Sequence, residues 1–374
     1  MKIGLITYYK DNYGSILQCY STKYMTEALG YECVVMYKRE KKDIFSRGYR
    51  ILRNLAYSCR YREFLPAYIK MKNAVRVTQM QLPVKTKEKM DKFVDDYLKP
   101  QEFSGKDLIR AGKDKTYSKF IVGSDQIWNC SHLIDDIFFA PFAAADKKIA
   151  FGISFGMDRI PDYNKSVKKR ARSFNAISVR EETGKRILES FYPGEIQRIG
   201  DPTTMLDKEM WEDFAKDGYK PDFPYVLVHF LNEPTRETIA QINRYLKSYE
   251  KKAICAGPSY DVYDQLAEKT IMDIDPVSYV SLIGCADAIF TDSFHTTVFS
   301  VNLQKNFYCF QRQYLNAAPQ TSRLSDLLKR IGLEERFIED EREVQFQDID
   351  YDHDYLEKER EITYKYLKEK LLGK

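Results

Sequence analysis

Histidine occurs four times and tryptophan twice in a chain of 374 residues. Cysteine occurs seven times, at positions 19, 33, 59, 130, 255, 285 and 309, and no two form a CxxC pair. So few imidazoles and no paired thiols argue against a structural zinc site. The odd count and irregular spacing suit free thiols in a reducing cytoplasm, not a disulfide framework. No stretch approaches the roughly 20 apolar residues that span a bilayer. No signal segment is read either, because Met1-Lys2-Ile3-Gly4-Leu5-Ile6 reads directly as a strand. A P-loop, a GxSxG elbow and an HExxH helix are all missing, which removes the chemistries those motifs carry.

What remains is an ordinary globular composition, 44% hydrophobic, rich in Tyr (28) and Phe (22). Tyrosine at that level suits sugar binding, but it also fills sheets and cores. The length predicts two domains. Short apolar runs alternate with helical periodicity. Ile3–Tyr8 reads as a strand, and Ile16, Leu17, Tyr20, Tyr24 and Ala28 recur at helical spacing up to Gly30. Cys33–Tyr37 is the next strand, so the chain opens as a βαβ unit with a parallel sheet. Residues 40–115 read as a polar, helical insertion without strong strands. Strands resume at 119–122, 148–153, 176–179 and 196–198. Gly218, Pro221 and Pro224 place a linker at about 203–224. A second series follows, with strands at 225–230, 253–256, 288–291 and 306–310 and helices at 235–249, 276–284, 294–302 and 323–331.

The expectation is an α/β protein of two Rossmann-like domains, 1–205 and 220–345, facing a cleft in a GT-B-like arrangement. Residues 346–374 form a terminal helix expected to pack back on the first domain.

Charge is unevenly placed. Residues 38–76 hold twelve Lys and Arg against three Asp and Glu, a local net of +9, while the whole chain carries only +4. Residues 339–361 carry a net of −8. A solvated face, or mutual neutralisation of the two segments, is the plain explanation. The basic block is also interleaved with Phe45, Tyr49, Tyr57, Tyr61, Phe64 and Tyr68. That composition suits peripheral contact with anionic lipid headgroups or with a diphosphate-linked acceptor. No nucleic-acid recognition motif accompanies it.

Three strand ends gather polar residues where open α/β sheets bind ligands. After the strand ending at Thr291 come Asp292, Ser293 and His295; Ser293 is a good N-cap, and His295 falls in the first helical turn, expected to be exposed. Free N–H groups and the helix dipole there favour phosphate or carboxylate. Asp292 is close enough in sequence to orient the imidazole. After Val122 come Gly123, Ser124 and Asp125, with Trp128 just beyond. Here Gly admits a close ligand and the polar side chains can bind hydroxyls. A third such turn holds Asn12, Tyr13, Gly14 and Ser15. Arg180 ends another strand, and its fork can grip an anion, or simply pair with Glu181 or Glu182. Each of these also reads as an ordinary cap, turn or salt bridge.

Taken in order, the stretches Thr7–Gln18, Val122–Asn129 (VGSDQIWN), Ser178-Val179-Arg180-Glu181, Asp201-Pro202, Asp292-Ser293-Phe294-His295 and Ser322-Arg323-Leu324 resemble the polysaccharide pyruvyl transferase family. The resemblance spans roughly residues 1–335. Two positions depart from the family pattern: Glu181 stands where Asp is usual, and Thr296 where Gly commonly follows the His. The resemblance implies phosphoenolpyruvate as donor substrate, a sugar of a surface polysaccharide as acceptor, free or lipid-linked, and no metal or other cofactor. It makes Arg180 and His295 the catalytic pair. Asn12, Tyr13, Gly14, Gln18, Gly123, Ser124, Asp125, Trp128, Asp201, Asp292, Ser293, Thr296 and Arg323 are implied to bind substrate. In the implied reaction a proton reaches C3 of the enolpyruvyl group, two sugar hydroxyls add at C2 in turn, and phosphate departs. A cytoplasmic location, at the inner face of the membrane, would follow. A GT-B nucleotide-sugar glycosyltransferase and a non-catalytic carbohydrate-binding protein remain the alternatives.

Overall fold

The computed structural model describes residues 1–39, 44–69, 72–73, 82–312, 322–339 and 344–373. Two all-parallel sheets organise the chain. The first takes the order β3-β2-β1-β4-β5-β6-β7, with β1 Lys2–Ile6, β2 Glu32–Lys38, β3 Gln101–Phe103, β4 Tyr117–Val122, β5 Lys148–Ile153, β6 Ala176–Val179 and β7 Ile196–Arg198. The second takes the order β10-β9-β8-β11-β12-β13, with β8 Tyr225–His229, β9 Lys252–Ala256, β10 Ala267–Ile271, β11 Ala288–Thr291, β12 Asn306–Phe310 and β13 Phe337–Ile338. Helices cover both faces, so the central strands are buried throughout and read as near-continuous apolar runs.

Strand order reverses between β1 and β4 in the first sheet and between β8 and β11 in the second. At each reversal the connections leave in opposite directions and open a crevice at the carboxyl ends of the strands. The turns after β1 and β4 therefore lie together, with the Gly123 N–H donating to the Ile6 carbonyl at 3.0 Å. The turn after β11 faces them from the other domain.

The two units share one core. Ile3, Leu17 and Trp211 belong to the same buried cluster as Leu227, Ile289 and Phe299. The expected linker is packed rather than loose: Trp211 is fully buried, and Asn302 of the second unit donates to the Thr203 and Leu206 carbonyls. The last helix, His353–Leu372, returns to the first unit, where Thr363 Oγ1 accepts from the Gly200 N–H at 2.9 Å and Tyr366 stacks near Phe151. Its Glu359 pairs with both Arg198 and Arg330, one from each unit.

Three strands lack a sequence signal: β3, β10 and β13 lie at or beside sheet edges and are short or polar (QEF, AEKTI and FI). Edge strands are often kept that way, which hides them from a search for apolar runs. The acidic segment 339–361 is not one helix: residues 344–352 are coil, with Val344 and Phe346 packed on an apolar cluster of the second unit beside Tyr245 and Tyr308, and 340–343 lie outside the described residues. Among the described residues no ion pair joins it to the basic block, whose residues 40–43, 70–71 and 74–76 also lie outside them.

Candidate functional site

Asn12 caps the helix Tyr13–Ala28, its side chain accepting from the Ser15 N–H at 3.1 Å. The cap sets the first turn of that helix at the mouth of the crevice. There the Ser15 hydroxyl donates to Asp125 Oδ2 at 2.6 Å. Gln18, fully buried one turn on, ties the β1 and β4 loops together. Its amide reaches Tyr8 O and Ser15 O at 2.8 Å, and its Oε1 accepts from the Ser124 N–H at 3.2 Å. Asp125 holds a positive φ of 66°, which a short polar side chain with its own hydrogen bonds tolerates.

Arg180 emerges at the end of β6 and is buried between two carboxylates. One terminal nitrogen binds Asp201, and the other lies 3.4 Å from Asp125. Asp201 is fixed in turn by the Thr203 N–H and hydroxyl, at 3.0 and 2.8 Å. Burial alone would raise both carboxyls. Against that, protonated His295, the Arg180 guanidinium and the Ser15 hydrogen bond hold Asp125 at about 2. The charges of Arg180 and His295, with the Thr203 hydrogen bonds, likewise keep Asp201 below the ordinary carboxylate range.

His295 reaches this cluster from the second unit. Ser293 caps its helix, Phe294–Asn302, accepting from the Thr296 N–H. The turn is not exposed as expected: His295 is only 8% accessible, because the first unit closes over it. Its Nε2 stands 3.7 Å from Asp201 Oδ2. Its other side lies against Gly14, where an added Cβ would fall inside contact distance of the ring. Burial pushes the imidazole below its ordinary value, and Asp201 and Asp125 recover only part of that. An imidazole set beside two carboxylates can accept a proton and have the resulting cation stabilised. Among the described residues, His295 Nε2 and Arg180 Nε are buried without a hydrogen-bond partner. Such atoms normally find a partner, and a substrate can supply it here.

The remaining sequence candidates fall into three groups. Arg323 joins the cluster: its guanidinium and that of Arg180 each lie 5.1 Å from the Phe294 ring centre. Tyr13, Gly14 and Thr296 wall it. Tyr13 stacks on Tyr279 at 4.5 Å, and the Tyr279 hydroxyl bonds Thr296 Oγ1 at 2.9 Å, so the Thr at the family's Gly position braces a contact between the units. Gly123, Ser124, Asp292 and Trp128 serve the framework. The Ser124 hydroxyl donates to Gly152 O. Trp128 is core, stacked on Phe139 with its indole donating to Phe138 O. Asp292 does not orient His295; it accepts from the Leu231 and Asn232 N–H groups and pairs with Arg312. Asp201, from the other unit, stands beside His295 instead.

Four residues escaped the sequence reading as site residues. Ser15 and Phe294 lie inside the quoted motifs, Ser15 as a turn residue, but neither was named as a site residue. Glu181 is buried, accepts from Ser154 Oγ and the Phe155 N–H, and has its carboxyl pushed up by burial against the pull of Arg180. His229, at the end of β8, is buried with Nδ1 2.9 Å from Ala256 O and its pKa lowered by burial. It lines a cavity of about 190 Å³ with Tyr13, Thr86 and Arg312. A larger cavity of about 1370 Å³ runs outward from Ser15 past Tyr8, Lys10, Lys38 and Arg50. Among the described residues no group of three His, Cys, Asp or Glu side chains is placed to hold a metal ion.

No curated protein sequence matches the chain. Its fold is similar to that of UDP-GlcNAc 2-epimerase from Neisseria meningitidis bound to UDP-GlcNAc, with a TM-score of 0.54 at 9% identity over 99% of this chain and 94% of that one. It is also similar to UDP-GlcNAc 2-epimerase from Methanocaldococcus jannaschii, with a TM-score of 0.52 at 12% identity over 97% and 93% of the two chains. At such identities the likeness establishes the fold alone, the two-domain GT-B type. The model of one family, described as polysaccharide pyruvyl transferase, matches residues 12–314, a span that holds Asp125, Arg180, Asp201 and His295. The chain belongs to the polysaccharide pyruvyl transferase family.

Proposed function

We propose that this chain transfers the pyruvyl group of phosphoenolpyruvate to two hydroxyls of an acceptor sugar, closing a cyclic ketal, in the synthesis of a capsule or exopolysaccharide. Phosphoenolpyruvate is the donor substrate, and the reaction draws on no resident cofactor or metal. The observation that carries this reading is a buried histidine from one unit set 3.7 Å from an aspartate that grips the buried arginine of the other. In the proposed sequence neutral His295 takes the proton of the first hydroxyl and delivers it to C3 of the donor, while that hydroxyl's oxygen bonds C2. Asp201 and Asp125 stabilise the imidazolium between the two transfers. The C2–O bond to phosphate then breaks with its electron pair. The second hydroxyl adds to C2, and its proton leaves with phosphate. Arg180 and Arg323 bear on the phosphate and carboxylate of the donor. The larger cavity, reaching Ser15, receives an acceptor of oligosaccharide size, free or lipid-linked. Seven unpaired cysteines, five of them buried, suit the cytoplasm.

The test is phosphate release from phosphoenolpyruvate against a panel of sugars, nucleotide-sugars and lipid-linked oligosaccharides, with the ketal methyl identified in the product by NMR. Release that requires both donor and acceptor is the expected result. Nucleotide release from a nucleotide-sugar, with phosphoenolpyruvate inert, would replace this reading by glycosyl transfer. Sugar binding without any turnover would leave a carbohydrate-binding protein.

A further inference from the structure

The helix Ile44–Arg60 is anchored on the first unit near its carboxyl end. Tyr57 packs on Phe64, which is buried and sets its ring edge-on to Tyr163. On another side Phe45, Tyr49, Leu52 and Leu55 form a stripe at helical spacing and are 88%, 67%, 67% and 57% exposed. Leu65 and Ile69 continue the exposed apolar surface. Of the seventeen large hydrophobic residues exposed among the described ones, seven fall between Phe45 and Ile69, so this is a patch and not scatter. The helix contains four arginines and no acid. Exposed Arg50, Arg60 and Arg62 make no ion pair among the described residues. The described part of the acidic segment packs elsewhere, Val344 and Phe346 against the second unit and Glu359 on Arg330.

We propose that this helix lies in the headgroup plane of an anionic lipid bilayer, its apolar stripe inserted and the exposed Arg50, Arg60 and adjoining Arg62 on the phosphates. A basic amphipathic helix with aromatic and leucine residues on its free face has the composition for that position. No helix among the described residues is long and apolar enough to cross a membrane, so the contact is peripheral. Phe45, Tyr49 and Arg50 also line the larger cavity, whose inner end is Ser15. The bilayer surface would thus meet the cavity mouth, and a lipid-linked sugar diphosphate would enter without leaving its membrane. That last clause rests on the pyruvyl-transfer reading; the membrane contact does not.

Co-sedimentation of the full chain with vesicles tests it, using phosphatidylcholine alone and an equal mixture with phosphatidylglycerol, at low and high salt. The wild type is expected to pellet with the anionic vesicles only, and less at high salt. Arg50→Gln with Arg60→Gln and Arg62→Gln should weaken that binding by about a hundredfold, each basic residue near the surface contributing roughly fivefold. Leu52→Glu with Leu55→Glu should abolish it while leaving the melting temperature and phosphate release with a soluble acceptor unchanged. Equal binding to both vesicle types, or to neither, overturns the proposal. So does a wild-type dimer, by light scattering, that the Leu52→Glu, Leu55→Glu variant converts to monomer, since the stripe would then be a self-interface. Anionic-vesicle binding without phosphate release on any acceptor would remove the pyruvyl-transfer reading and leave the membrane contact standing.

Discussion

Gly14→Ala separates the site from the fold. Gly14 sits in the first turn of the helix Tyr13–Ala28, in a backbone conformation open to any residue. Alanine there gains up to about 1 kcal/mol of helix propensity over glycine. The added methyl, however, lands on the His295 ring from the other unit, inside contact distance of Nδ1 and Cγ and 2.6 Å from Cβ. Ordinary contact begins near 3.4 Å, so the ring must retreat by more than an ångström or the units must part. Overpacking of this kind costs about 1–3 kcal/mol. Set against the propensity gain, the net loss is about 1 kcal/mol, a few degrees in melting temperature. Activity should suffer far more, because a misplacement of about 1 Å in a reacting group can cost on the order of 10²-fold. Thermal melts and phosphate release measured side by side check both halves. Turnover within a few-fold of wild type, in a folded Gly14→Ala protein, would refute the reasoning and remove His295 from the chemistry.

Three further outcomes are expected. His295→Gln should lower kcat by about 10²–10⁴-fold with the fold retained, and a fall of less than about tenfold would exclude a proton-transferring role. Arg180→Lys keeps the charge but cannot bridge Asp125 and Asp201 with one fork, so most activity should be lost; near-normal turnover would take Arg180 out of the site. Asp125 has a folded pKa near 2, below its ordinary value, so it stabilises the fold above pH ~4 and that contribution is lost as pH falls toward 2. Asp125→Asn should therefore flatten the decline in denaturation midpoint across that window by about 2 kcal/mol, and an unchanged slope would show that Asp125 is not held ionised.

Most of the architecture was legible along the chain. Central parallel strands are buried on both faces, so β5, β6, β11 and β12 stand out as apolar runs at the expected bounds, and the helices between them show the period of 3.6. Strands β3, β10 and β13 were not legible: β3 (QEF) and β10 (AEKTI) are polar edge strands with no apolar pattern, and β13, though buried, is only two residues long. The turns that carry the site were legible as turns. Capping Asn12 and Ser293 and the residues beside Gly123 mark strand ends by local chemistry alone.

The partners were not legible. Asp292 stands three residues from His295 and binds other groups, while Asp201, far away in sequence, stands beside the imidazole across the cleft. Nothing local says that Gly14 must lack a side chain to admit that ring, or that Thr296 braces Tyr279 against Tyr13. His295 was expected to be exposed because its own helix turn is open, and the first unit is what buries it and lowers its pKa. Composition and periodicity are properties of one segment, so the sequence by itself determined the elements, their order and the strand ends where ligands bind. Charge pairing, desolvation and contact depend on distances between segments, and only the closing of two units over one shared core decided those.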